Sequence, residues 1–284
     1  MLAYKPVLAL VAVALVGTTF VGEAAALNPS RTYKQKPDKF NMEYKEHKVR
    51  TNDGAATLVA WHFRAKKKSA STVLVAHSGE GNMADYLRRV DTLRAEHNVV
   101  IFDYRGFGES SEFEIDKNMY VYPHFQDDMA SMIDHTRKTH SASFNIYGWG
   151  IGGGLALGVG FGRPEAKAIV ADTPFFSMED LEERFSSWDT PMEVPFAGYE
   201  KRFEPHSTLD GAPGKNLKKI TLIVGSNDRV YKLADMQALQ SKNKVTRKLI
   251  DKDIFVVENP DRKDNFRVAK AAYTAKLMAG LATK

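Results

Sequence analysis

Cysteine is missing from all 284 residues, which excludes disulfides and thiolate metal sites together. Histidine runs out early. The last of eight is His206, so no imidazole is available anywhere in the final part of the chain. No internal repeat or low-complexity tract is present. No set of His, Asp and Glu reads as having metal-ligand spacing, and no metal is expected. Charge of one sign is not concentrated either: 40 Lys and Arg against 35 Asp and Glu leave a net +5. The one dense basic run, "RAKKK" at Arg64–Lys68, falls between two apparent strands. It reads as a solvated hairpin turn, and nucleic acid is not an expected partner.

A long apolar run occurs only at the start. "PVLALVAVALVGTTFVG" (Pro6–Gly22) follows a short basic stretch and precedes Ala24–Ala26, whose small side chains suit signal-peptide cleavage. Residues 1–26 are therefore expected to be a signal peptide, with a periplasmic or secreted mature chain. A membrane anchor is the alternative if the segment is retained, although the run is at the short limit for a bilayer span. Export without disulfides leaves the hydrophobic core to hold the fold, and a chain of this length can bury enough surface for that.

Residues 27–40 ("LNPSRTYKQKPDKF") are polar and unpatterned and predict a flexible arm; the folded domain is expected over 41–284. "YKEHKVR" and "AATLVAWHF" flank "TNDG", whose Asp53-Gly54 pair predicts a β-hairpin. Continuous apolar strands follow at "STVLVAH" (Ser71–His77), "NVVIFDY" (Asn98–Tyr104), "FNIYG", "KAIVAD" (Lys167–Asp172), "ITLIVG" (Ile220–Gly225) and "DIFVVE" (Asp253–Glu258). Such strands are buried on both faces of a sheet. Helical periodicity lies between them, at Met83–Arg94, at Val121–Thr139, after Ile151, and on the stripe Phe266, Ala269, Tyr273, Leu277 and Leu281. The alternation predicts an α/β fold with a mostly parallel sheet begun by an antiparallel hairpin. Residues 177–217 break the rhythm with aromatics and prolines, and predict an inserted cap over the sheet's carboxyl edge.

The stretch "NIYGWGIGGG" (Asn145–Gly154) runs from a strand through a glycine turn into a helix. Gly148, Gly150 and Gly153 satisfy G-x-G-x-x-G, and Asp172 ends the next strand, where a dinucleotide fold places its ribose-binding acid. Two strand–helix units precede the motif, however, and an exported protein rarely meets a nicotinamide pool. No cofactor is expected, and dinucleotide binding stands as the weaker alternative.

Four segments in series carry a more specific likeness. "HSGEGN" (His77–Asn82), "FDYRGFGES" (Phe102–Ser110), "GWGIGG" (Gly148–Gly153) and "LIVGSNDRV" (Leu222–Val230) resemble, in order and spacing, the loop, strand, nucleophile-elbow and acid segments of the α/β-hydrolase family. The resemblance covers roughly 200 residues and implies an α/β-hydrolase fold with helices on both faces. It also implies a serine–histidine–acid triad, and here the chain departs from the pattern. Gly150 stands at the nucleophile's position and Arg262 falls at the histidine's; only Asp228 matches the acid. A guanidinium cannot act as a general base near neutrality.

The resemblance further places oxyanion-hole-like backbone N–H groups at Gly79 and Ile151, and makes Arg262 a candidate anion-binding cation. The favoured expectation for Arg262 is a structural salt bridge with Asp228, its neighbour in the family's geometry, which still leaves guanidinium donors for an anion. His77 and Asp103 read as loop anchors, and Glu80 as a solvated loop residue. Ser78 is the candidate for a relocated nucleophile, without a base that the sequence can name. The expectation is an exported, catalytically inactive hydrolase-like protein that binds a small anionic ligand or a protein partner. An active serine hydrolase with relocated residues is the alternative. The intact mass of protein from its native host tests the export reading: a chain beginning at Leu27 is expected, and retention of residues 1–26 would mean an anchor.

Overall fold

The computed structural model describes residues 27–68, 70–188, 192–259 and 264–283. The expected signal peptide and Arg262 lie outside the described residues. The strands are β1 (Asn28–Pro29), β2 (Tyr44–Arg50), β3 (Thr57–Phe63), β4 (Thr72–Ala76), β5 (Glu80–Gly81), β6 (Asn98–Asp103), β7 (Phe144–Trp149), β8 (Ala166–Asp172), β9 (Lys219–Gly225) and β10 (Phe255–Val257). The helices are α1 (Leu87–Leu93), α2 (His124–Thr139), α3 (Ile151–Gly160), α4 (Met178–Phe185), α5 (Pro205–Thr208), α6 (Leu233–Ser241), α7 (Lys244–Leu249), α8 (Asn265–Val268) and α9 (Lys270–Leu281).

Eight strands form one sheet in the order β10-β9-β8-β7-β4-β6-β3-β2. Pairing is parallel from β10 through β6 and antiparallel from β6 to β3 and β2. Side chains alternate across it, as strand geometry requires. Leu74 and Ala76 of β4 and Val100 and Phe102 of β6 join a core with α2, α3 and α4. Val73, Val75, Val99 and Ile101 join a second core on the opposite face with α1, α8 and α9. The stripe Phe266, Tyr273, Leu277 and Leu281 is buried there, with Ala269 packed against it. The expected α/β architecture, with its mostly parallel sheet and opening hairpin, is the one observed.

Glycine decides how α3 sits. Eight of the 20 glycines fall between Gly148 and Gly162, and every residue of α3 is buried. A Cβ added at Gly152 would lie 2.2 Å from the Ala76 carbonyl oxygen; one at Gly148 would lie 2.1 Å from that of Gly152. Both contacts are backbone, so neither can yield by a rotamer change. Helix and sheet meet main chain against main chain.

Three expectations are corrected. Residues 27–40 are not a free arm. Leu27 is fully buried, β1 pairs in parallel with β5, and Arg31 donates to the Ser110 carbonyl at 2.6 Å. The Tyr33 hydroxyl donates to Asp103 at 2.7 Å. Polar composition misled here because the segment docks through hydrogen bonds and scattered apolar residues (Leu27, Tyr33, Pro37 and Phe40) rather than through a periodic face. Next, Arg64–Lys68 is no hairpin turn: β6 lies between β3 and β4, so the run is a crossover connection, and its four basic residues are solvated as expected. Finally, α6 and α7 fill the span between β9 and β10, where no helix was read.

The segment 177–217 contributes α4, α5 and a 3₁₀ turn at Lys201–Phe203. Phe185 and Tyr199 are buried against Tyr120 and Phe175, with Tyr120 and Phe185 centroids 5.3 Å apart. Its aromatics serve packing, except Phe196, which is exposed. At the β2–β3 turn, Arg105 is held by Asp53 at 3.0 Å and Asp128 at 2.7 Å. This ties the hairpin to α2 through a buried cation.

Gly152→Ala is expected to lower unfolding free energy by about 2 kcal/mol or more, because the added methyl has no room. Gly162→Ala, where the nearest atom would be 3.9 Å away, is expected to be neutral. Urea midpoints for the two variants measure the difference. Equal stability would show that α3 does not rest on the β4 backbone.

Candidate functional site

Strand β7 ends at Trp149 and α3 begins at Ile151, so a single residue makes the strand-to-helix turn. Gly150 adopts φ 57° and ψ −129°. Such a conformation costs a residue with a side chain about 1–3 kcal/mol, and glycine takes it freely. Its N–H donates to the Asp172 carbonyl at 3.0 Å, and its own carbonyl accepts from Gly153 at 3.0 Å. A Cβ at this apex would stand 3.0 Å from the Ser78 Cβ. The place where an elbow nucleophile begins is thus already bordered by another side chain.

The loop after β4 faces the same turn. His77 and Asp103 are both fully buried, with the His77 Nε2 3.5 Å from Asp103 Oδ1. The Gly79 N–H donates to His77 Nδ1 at 3.1 Å. Nδ1 is therefore an acceptor, and the ring's proton belongs on Nε2, toward the carboxylate. Asp103 also accepts from the Met83 N–H at 2.7 Å and from Tyr33. The pair anchors loops, as expected.

It has a second consequence. The Gly79 N–H, expected to be an oxyanion-hole-like donor, is spent on His77. The side chains of Leu27 and Ile151 close over Gly79, which has φ 83°; a Cβ there would lie 2.6 Å from Leu27 and 2.8 Å from Ile151. That half of the expected anion site is corrected: it is filled. Ile151, the first residue of α3, keeps an N–H that no intrahelical carbonyl can take.

Ser78 Oγ lies 3.0 Å from the Tyr86 hydroxyl, which itself donates to the Glu80 carbonyl at 2.6 Å. Tyr86 has one proton and gives it to Glu80, so Ser78 must be the donor in the pair. Burial pushes the Tyr86 hydroxyl's pKa well up, despite the Ser78 bond that opposes it. Tyr86 cannot deprotonate Ser78 near neutrality. Glu80 is exposed, as the sequence implied.

Asp228 holds its loop in place: Oδ1 accepts from the N–H groups of Val230 and Tyr231, each at 2.9 Å. Arg262, its expected partner, lies outside the described residues. Asp172 ends β8, but it is closed to any ribose. Asn265 and Tyr273 each donate to it at 2.7 Å, and Thr173 Oγ1 donates at 3.0 Å. Tyr273 meets Tyr147 at 2.9 Å, and Tyr147 accepts from the buried Arg89 at 3.0 Å. Burial raises the Asp172 pKa, and these donors oppose the rise. With its acid sequestered and Gly148 and Gly153 in close backbone contact between α3 and the sheet, the G-x-G-x-x-G match is structural. Thr173 carries φ 50°, an uncommon value for a β-branched residue, one position beyond the carbonyl that holds Gly150.

Several residues here had no sequence signal. Leu27 sits in a polar stretch without period. Tyr86 and Arg89 read only as helix positions, and nothing local marks Arg89 as a cation stacked 4.0 Å from Trp149.

A parallel sheet of this strand order, an elbow after its central strand, an acid loop after β9 and helices on both faces define the α/β-hydrolase fold. This chain has that fold, with an elbow apex that carries no side chain. No protein-family model matches it. It is similar to Protein bem46 of Schizosaccharomyces pombe, 27% identical over 168 residues, or 57% of this chain and 55% of that protein. The match thus spans little more than half the length of that curated relative. Among solved structures it resembles the Pyrococcus furiosus esterase Pf2001 at TM-score 0.66 and 19% identity, over 90% of this chain and 96% of that one. It also resembles the bottromycin epimerase BotH at TM-score 0.56 and 17% identity, over 84% of this chain and 100% of that one.

Gly150→Ser is expected to destabilise the fold by about 1–3 kcal/mol through the positive φ and the crowding at Ser78. Combining it with Ser78→Gly should recover part of that loss. Denaturant titration of the two variants checks it; a Gly150→Ser protein as stable as the parent would mean that the turn is not strained.

Proposed function

We propose that this chain is an exported α/β-hydrolase-fold protein without esterase chemistry, acting by binding. One observation carries the reading: the elbow apex is Gly150, and the nearest hydroxyl, Ser78, has Tyr86 as its partner and no hydrogen-bonded base among the described residues. A serine hydrolase needs a nucleophile within hydrogen-bond reach of a group that can take its proton. His77 is the nearest imidazole in sequence, and its Nδ1 lone pair is engaged by a backbone N–H. The solved structures that share the fold include one named as an epimerase, so hydrolysis is not the fold's obligatory use. Export rests on the Pro6–Gly22 run and on Ala24–Ala26.

The ligand class proposed at the elbow is a small carboxylate or phosphate. The start of α3 supports it, since the Ile151 N–H and the helix dipole favour negative charge. Arg262 is the cation that the sequence offers, and Asp228 its competitor for that charge. With Gly79 removed from the donor set, such a site is weaker than an oxyanion hole with two N–H groups.

The test is reaction of the purified protein with a fluorophosphonate probe and with short activated esters. No labelling and no turnover are expected. Labelling or turnover abolished by Ser78→Ala would establish the relocated-nucleophile reading instead. Calorimetric titration with acetate, succinate and inorganic phosphate, using Arg262→Ala as control, tests the ligand class. Binding that survives Arg262→Ala, or no binding, would move the function away from the elbow.

A further inference from the structure

Four of the eight histidines converge at the far side of the sheet from the elbow. His47 lies on edge strand β2 and His62 on β3, on the same face, because His47 pairs with Ala60 and Lys45 with His62. Helix α2 crosses this face and brings His135 from its last turns and His140 from its C-terminal cap. His140 precedes β7, and His62 is opposite Val100 near the start of β6, so the cluster sits at the amino edge of the parallel strands. His135 and His140 lie five positions apart, but nothing in local sequence spacing joins them to His47. The expectation of no metal-ligand set rested on spacing along the chain, which does not see side chains that the fold gathers from separate elements.

We propose that His47, His135 and His140 form a binding site for a divalent transition-metal ion, zinc foremost. One ligand atom from each lies within 4.8 Å of the others. Zinc–nitrogen bonds of about 2.0–2.1 Å place tetrahedral ligands about 3.4 Å apart, so closure requires a shift of roughly 1.5 Å, within reach of side-chain rotation. The Nε2 atoms of all three rings are buried and lack a hydrogen-bond partner. Three buried imidazole nitrogens without partners, on rings that gather together, are costly unless something takes their lone pairs or protons.

The surroundings fit that use. His62 lies against His140, with ring centroids 4.1 Å apart, and braces the ring from its other side. A groove of about 720 Å³ opens beside His47, His62 and His140, giving the ion an entry path and room for a water at the fourth position. Lys45 and Arg64 add positive charge nearby, and Glu43 lines the same groove with the opposite sign. Affinity must therefore come from the imidazole bonds rather than from long-range attraction, and imidazole sets of this kind suit zinc, copper and nickel over magnesium or calcium. The ion would clamp the β2–β3 hairpin to α2.

The test uses the full chain without a histidine tag, titrated with zinc against a chromophoric chelator. One zinc per chain is expected, and magnesium should not compete. His47→Ala and His140→Ala should each lower affinity by more than the roughly ten- to hundredfold lost when only an outer-shell partner is removed. His206→Ala, an exposed histidine outside the cluster, should leave affinity unchanged. Cobalt(II) substitution should give visible absorption in the parent protein that His135→Gln abolishes, a readout that survives if an alanine variant folds poorly. Zinc should also raise the parent's Tm and not that of His47→Ala. Absence of saturable 1:1 binding by the parent, or equal binding by the His47 and His140 variants, would overturn the proposal.

Discussion

The contact on which the molecule depends is the seat of α3 on the strands β4 and β7. Ordinary helix–sheet packing interposes side chains, whereas here Gly148 and Gly152 bring backbone to backbone. The close seat shortens the turn between β7 and α3 to one residue and aims its apex at the loop after β4. Positions 150, 78 and 79 are neighbours because of it. The elbow's geometry therefore follows from packing, and it persists whether or not a nucleophile stands at its tip.

Around that tip the structure has closed up. The N-terminal segment inserts Leu27 over Gly79, His77 takes the Gly79 N–H, and Ser78 borders the apex. Each contact is modest alone, yet together they fill the space at the apex and engage the Gly79 N–H, leaving the Ile151 N–H. A buried His–Asp pair beside a serine looks like catalytic machinery when read as composition. Its hydrogen bonds run in particular directions: the imidazole's Nδ1 lone pair faces a backbone amide, and the serine faces a phenol whose proton goes to the Glu80 carbonyl. Asp172 shows the same pattern, since an acid at a strand's carboxyl end is available to a ligand only if the neighbouring helices leave it unbound.

Strands, their mostly parallel order and the elbow were legible in the sequence because each is encoded locally. Continuous apolar runs mark β4 and β6 through β9; Asp53-Gly54 marks the hairpin; glycine at 150 marks the turn. What escaped was encoded by distance. Leu27 has no periodic context, and Arg89 reads as a surface helix position until Tyr147, Trp149 and Asp264 are folded around it. The histidine cluster joins an edge strand to a helix more than eighty residues later, and spacing rules built for single loops or helices do not reach that far. The arm at 27–40 failed for another reason: its docking uses backbone pairing with β5 and side-chain hydrogen bonds, neither of which depends on hydrophobic pattern.

The docking of Leu27 also has a bearing on the order in which the chain acquires its structure. This residue is made early in synthesis, but its seat is built from Gly79 and from Ile151, which emerge much later. Loop-closure entropy must be met before such distant contacts return anything. The segment 27–33 therefore cannot settle until α3 has come down on the sheet. Its pairing with β5 becomes a late event of folding, and protection of the Asn28 N–H against solvent exchange would report that the central layer beneath it is complete.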